Sequence, residues 1–123
     1  ICRAVKAAAP EAMLLALSGS EMIKAAQTLG LRVCSEVFAD RGYQPDGTLV
    51  PRGKPGAMIE NEEEAIARVL QMAKQGTVCA VDGNTVALQA DSVCVHGDGP
   101  KALAFVRKIS AALPAAGVEI KAQ

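Results

Sequence analysis

The sequence predicts an α/β protein with parallel strands. Short apolar, β-prone runs alternate with amphipathic helical stretches along most of the 123 residues, the pattern of strands joined by helical crossovers. Glycine and proline stand at the changeovers, and helix start and stop signals fall where the alternation needs them.

Taken in order, Arg3 to Ala9 reads as the tail of a helix and Met13-Leu14-Leu15-Ala16-Leu17 as a buried strand. A helix from about Ser20 to Leu29 follows, with Met22, Ile23, Ala26 and Leu29 on one face and Gly30 as its stop. Leu31 to Phe38 is the second strand. Asn61 with Glu64 three residues on makes a capping box. The acids Glu62 to Glu64 suit the positive end of the helix dipole, and Ile66, Val69, Leu70 and Ala73 form an apolar stripe that runs to Gly76. Thr77 to Val81 and Thr85 to Leu88, joined by Asp82-Gly83-Asn84, predict a β-hairpin, because Asp-Gly supplies the positive φ of a tight turn. That hairpin is an excursion from the alternation. Val93 to His96 is a further buried strand, and Pro100 is pre-set for the first turn of a helix over Lys101 to Leu113. This helix should face inward through Leu103, Val106, Ile109 and Leu113 and end at Pro114. Val118-Glu119-Ile120 fits a last strand. Three or four parallel strands do not close a barrel, and a half-sheet leaves two unpaired edges. Residues 1–123 are therefore expected to be a single-domain fragment of a longer protein.

Composition narrows the function classes. Half of the residues are hydrophobic but only two Phe and one Tyr are present, so Ala, Val, Leu and Ile must fill the core. Thirteen basic residues balance thirteen acidic ones, and no Lys/Arg block is interleaved with aromatics, so nucleic acid is not an expected partner. No apolar run approaches the roughly 20 residues that cross a bilayer, and Ile1 to Lys6 lacks signal-peptide architecture. A cytoplasmic protein without membrane contact is the expectation. Cys2, Cys34, Cys79 and Cys94 show no Cys-x-x-Cys spacing, which disfavours structural zinc or a disulfide framework. Three of them lie in apolar strand-like contexts and read as small core residues.

Two polar clusters stand out. His96, the only histidine, lies in Ser92-Val93-Cys94-Val95-His96-Gly97-Asp98-Gly99-Pro100, where a buried strand leaves the core. In α/β proteins chemistry is usually done at that end of a strand, and imidazole titrates nearest to neutral pH. The competing assignments are a structural histidine and, for Asp98, a helix N-cap. The second cluster runs from Ser35 through Glu36, Asp40, Arg41, Tyr43 and Arg52 to Gly56. Phe38, Tyr43, Leu49, Val50 and Met58 need burial, so this long stretch reads as an ordered active-site or binding loop. Each cluster follows directly on a strand. Parallel strands leave the core at one end, so Glu36, Asp40, Arg41 and Arg52 should open onto the same mouth as His96.

The segments Leu15-Ala16-Leu17-Ser18-Gly19-Ser20-Glu21, Glu36-Val37-Phe38-Ala39-Asp40-Arg41-Gly42-Tyr43-Gln44-Pro45-Asp46-Gly47-Thr48-Leu49-Val50-Pro51-Arg52 and Val93-Cys94-Val95-His96-Gly97-Asp98 closely resemble the LamB/YcsF family. The resemblance covers essentially the whole chain, and its long middle motif is specific. It implies the C-terminal half of a TIM-like βα barrel of the glycoside hydrolase/deacetylase type, whose N-terminal half has no counterpart here. It also implies a reaction: ATP-dependent opening of the lactam of 5-oxoproline to L-glutamate, carried out with the B and C subunits of a 5-oxoprolinase. ATP, with Mg2+, would be bound on this chain or on those partners. A lactam is a resonance-stabilised amide with a poor leaving group, so such a site needs acid/base groups and cations for a carboxylate and a phosphate. On this view Glu36, Asp40 and Asp98 orient or deprotonate water and His96 carries the proton. Arg41 and Arg52 clamp a carboxylate or phosphate, and Tyr43 belongs with them on the substrate side. Alternatively, Arg41 pairs with Asp40 inside the loop and Glu36 anchors an arginine. Two other functions fit the same resemblance: a non-catalytic scaffold that presents substrate, and, by fold analogy alone, a metal-dependent deacetylase. A single histidine disfavours a complete metal site within this chain.

Overall fold

The computed structural model of the chain describes residues 1–97 and 102–122. In chain order its elements are α1 (Cys2–Ala8), β1 (Met13–Leu17), α2 (Glu21–Thr28), β2 (Arg32–Phe38), α3 (Glu62–Gln75), β3 (Thr77–Cys79), β4 (Thr85–Ala87), β5 (Ser92–Cys94) and α4 (Ala102–Ala115). The result is a mixed α/β fold built on a parallel sheet of order β1-β2-β5. β1 runs beside β2 from Met13↔Arg32 to Leu17↔Glu36, and β2 beside β5 from Glu36↔Ser92 to Phe38↔Cys94. β3 and β4 form a separate antiparallel hairpin from Thr77↔Ala87 to Cys79↔Thr85. No helix among the described residues is long and apolar enough to cross a membrane.

Local chemistry sets the helix ends. Ser20 caps α2 by accepting from the Ile23 amide at 3.4 Å, and Asn61 caps α3 by accepting from the Glu64 amide at 3.0 Å. Gly76 closes α3 in the left-handed region at φ 63°, which costs a residue without Cβ little. The main core joins Val37 of β2 and Ala39 and Tyr43 beyond it to Ala65, Val69 and Met72 of α3, Val78 of β3, and Phe105, Ile109 and Leu113 of α4. A smaller cluster of Cys2, Ala26 and Leu31 sits where α1 and α2 meet.

Several expectations need correction. The buried stripe of α4 is Phe105, Ile109 and Leu113, whereas Leu103 and Val106 are 65% and 41% exposed. The three buried residues recur every fourth position, so they stack on one side, and Val106 is turned toward a cleft of about 510 Å³ beside β5. α4 also continues through Pro114 to Ala115. A proline in the last turn is tolerated because the helix ends at once: the Ala116 amide bonds to Ala112 O and the Gly117 amide to Pro114 O. The expected strand at Val118–Ile120 does not form. The Val118 amide is spent on Leu113 O at 2.9 Å, which folds the chain back over the helix end. In α2, Ile23 and Ala26 carry the burial and Met22 is exposed. In α3, Ala65, Val69 and Met72 are the fully buried positions, flanked by the expected Ile66, Leu70 and Ala73. Cys79 is exposed despite its strand, since a two-stranded hairpin covers one face only, and all four cysteines are free thiols.

Candidate functional site

The sheet register builds the site. Phe38↔Cys94 is the last pair of the β2–β5 ladder, and the Ala39 amide adds one more bond to Cys94 O at 3.1 Å. Asp40 and His96 each lie two residues beyond that pair, so both strands deliver their polar residue to the same place. The Asp40 carboxylate holds His96 Nδ1 with its two oxygens at 2.8 and 2.9 Å. Phe38 stacks on the imidazole with ring centroids 5.8 Å apart. The side chains are 13% exposed for Asp40 and 25% for His96, so the pair is shielded but reachable.

The other ring nitrogen, Nε2, lies 3.4 Å from Arg52 Nη2. A guanidinium can only donate, so this contact requires Nε2 to accept. The carboxylate on Nδ1 demands the same tautomer, with the proton on Nδ1 and the lone pair on Nε2. Two neighbours thus set one protonation pattern. Chemically, this arrangement leaves the ring's lone pair at Nε2, with an exposed cation beside it for an anionic group.

Arg52 reaches His96 because its loop is stapled to itself. Arg41 is 7% exposed, and its guanidinium donates Nε to Ala57 O at 3.0 Å and Nη2 to Val50 O at 2.7 Å. Main-chain bonds from the Gly42 amide to Ala57 O, the Val50 amide to Gly42 O and the Ile59 amide to Asp40 O close the same unit. Gly42 is required there: a Cβ on it would stand 1.9 Å from Gly56 O. Tyr43, 1% exposed, turns its ring into the core, and its hydroxyl accepts from the Phe38 amide at 2.9 Å. Burial pushes the Tyr43 hydroxyl pKa up, outweighing the Phe38 amide and the Arg68 and Arg41 charges, which pull it down. From α3, Arg68 reaches Cys79 O at 3.0 Å and Arg41 O at 3.5 Å.

Of the residues proposed from sequence, the structure brings Asp40, Arg52 and His96 into contact. Arg41 and Tyr43 point inward and hold the loop; neither reaches the imidazole, and Arg41 bonds carbonyls rather than Asp40. Glu36 lies one alternation before Phe38 on β2, and its charge acts on the Cys94 thiol. That thiol is pushed up, first by burial and then by the charges of Glu36 and Asp40, which keeps it from being a ready nucleophile. Asp98 falls outside the described residues. Sequence reading missed a polar network at the base of the sheet. There the Gln89 amide donates to Ser18 Oγ at 2.9 Å, Gln89 Nε2 donates to the Asp91 carboxylate, and that carboxylate accepts from the Ser35 amide at 2.9 Å. Its bonded partners lie up to 71 positions apart, so no local pattern marks them.

A nucleoside triphosphate needs several cations or a run of backbone donors. Among the described residues Arg52 is the one arginine or lysine bonded to His96. The Arg52 guanidinium can hold one carboxylate or one phosphate through paired donors.

Fold and site together define an α/β protein with a carboxylate-oriented histidine and an arginine at the ends of adjacent parallel strands. The LamB/YcsF family model matches residues 1–123, and the chain belongs to that family. It is 58% identical over 113 residues to the 5-oxoprolinase A subunit of Neisseria meningitidis, a match that covers 92% of this chain and 46% of that protein. It is 53% identical over 120 residues to the protein of the same name from Clostridium beijerinckii, covering 98% and 47%. The crystal structure of a lactam utilization protein from Thermus thermophilus superimposes with a TM-score of 0.90 at 42% identity, over 100% of this chain and 49% of that one. The chain thus spans about half the length of the relatives it matches.

Proposed function

We propose that this chain is the C-terminal half of a βα-barrel protein that acts on 5-oxoproline, opening its lactam to L-glutamate in the cytoplasm together with ATP and partner B and C subunits. The observation that carries the reading is the Asp40–His96–Arg52 contact at the strand ends. The names of the relatives supply the substrate class.

In this reading Arg52 binds the carboxylate of 5-oxoproline, which places the lactam against Nε2 of His96. With the Arg52 guanidinium donating to that carboxylate instead of to Nε2, the freed Nε2 lone pair removes a proton from water as its oxygen bonds to the ring carbonyl carbon, and the Asp40 carboxylate at Nδ1 balances the positive charge. The same proton then passes to the ring nitrogen as the C–N bond breaks, so that the nitrogen leaves as an amine rather than as an amide anion. Each of these proton transfers is assigned to this chain's own residues.

The test is glutamate release by the full-length protein in complex with its B and C partners, supplied with ATP and 5-oxoproline. His96→Ala and Asp40→Asn should each lower turnover by about 100-fold or more while the melting temperature stays near that of the parent. Normal turnover by both variants would contradict the assignment and favour a substrate-presenting scaffold.

A further inference from the structure

The residue that sets the anion-binding geometry is not in the mouth. Arg52 is exposed, on the stretch between Val50 and Ala57, whose local main-chain bonds are two short turns, from the Lys54 amide to Pro51 O and from the Ala57 amide to Lys54 O, and in which Gly53 and Gly56 both take positive φ, at 87° and 77°. Such a stretch would wander if its ends were free. Its ends are Val50 and Ala57, which are 4% exposed each, and the carbonyl oxygens of both residues are taken by one side chain, the buried guanidinium of Arg41.

We propose that Arg41 is a positioning residue: by gripping Val50 O and Ala57 O with one planar fork, it holds the two feet of the Arg52 loop and so places Arg52 against His96 and the substrate anion. Guanidinium suits this task. Its donors diverge in a fixed plane and it keeps its charge when buried, whereas an ammonium is a compact point charge that shifts or abandons one of two separated acceptors. The bonds at 3.0 and 2.7 Å reach two carbonyls seven residues apart and add to the main-chain contacts at Gly42, whose amide shares Ala57 O with Arg41. The Arg41 guanidinium bonds loop carbonyls and neither the Asp40 carboxylate nor the imidazole, so an effect on substrate confined to binding would come through the loop that carries Arg52.

This inference rests on the reading of Arg52 as the anion clamp, and a double-mutant cycle in the full-length enzyme complex separates the two. Arg41→Lys alone should raise the KM for 5-oxoproline about tenfold and leave kcat within about twofold. In an Arg52→Ala background the same substitution should change KM by less than about twofold, because the residue it positions is gone. A residue that merely stabilises the fold would give effects that add. If Arg52→Ala leaves KM unchanged, the anion-clamp reading falls and this inference with it. If Arg52→Ala raises KM and the effect of Arg41→Lys adds to it in full, only the positioning role is overturned. Arg41→Gln provides a second route to the cycle. Failure of both Arg41 variants to fold, read from their melting curves, would make Arg41 a folding residue and overturn the proposal.

Discussion

The two runs that leave β2 and β5 at the mouth are held in different ways. After β2 the chain makes a long, cross-braced loop, in which Arg41 grips two carbonyls, Gly42 packs against Gly56 O, Tyr43 reaches back to the Phe38 amide, and Val81 of the hairpin bonds to Tyr43 O. After β5 only Val95 separates the ladder from His96, and the imidazole is held by residues of the other run: Asp40, Phe38 and Arg52. Precision is therefore built on one side and lent to the other. Among the described residues, the braced loop of the neighbouring strand supplies the contacts that orient the histidine.

That asymmetry predicts where damage is greatest. Gly42→Ala should be the most disruptive change in the β2 loop. The added methyl would stand 1.9 Å from a backbone oxygen, and forcing the two segments apart should cost about 3 kcal/mol, read as a lowered midpoint in urea. An unchanged midpoint would show that the loop is looser than its hydrogen bonds imply. Tyr43→Phe should cost less, about 2 kcal/mol, by leaving the buried Phe38 amide without its acceptor. It should also change the response to alkali. The folded Tyr43 pKa is raised above the ordinary value of 10.0 by burial, so the unfolded chain loses this proton at a pH where the folded chain keeps it. The contribution is fully present below about pH 10 and is lost as pH climbs through the raised folded value. The parent should therefore lose stability more steeply above about pH 10 than Tyr43→Phe does, and parallel curves would contradict the burial of that hydroxyl.

Much of the fold was legible because its signals are local. The Asn61 cap, the Gly76 stop and the Asp82-Gly83-Asn84 turn each determine a few backbone angles by themselves. The meeting of Asp40 and Arg52 with His96 was legible from topology, since adjacent parallel strands must open at one end. What the sequence hid depends on distant partners. Arg41 and Tyr43 look like site residues because they are polar and aromatic in a functional-looking loop. Only the closure of that loop decides that carbonyls and core, rather than substrate, receive them. Val118–Ile120 has strand composition, but the chain reversal after α4 takes the Val118 amide out of any ladder. Glu36 shows the same limit, for its strand position was clear while its neighbour, Cys94, belongs to another strand.

The central claim is that Asp40 fixes the ring of His96 so that Nε2 is the working nitrogen. In the full-length protein the His96 imidazole signals are assigned by their loss in His96→Gln, so its two ring nitrogens can be read in a ¹⁵N-labelled sample. Recorded at a pH where the ring is neutral, the spectrum should show the proton on Nδ1 and an unprotonated Nε2, and Asp40→Ala should redistribute the two tautomers toward the mixture of a free imidazole. A proton found on Nε2, or a tautomer ratio indifferent to Asp40, would contradict the account.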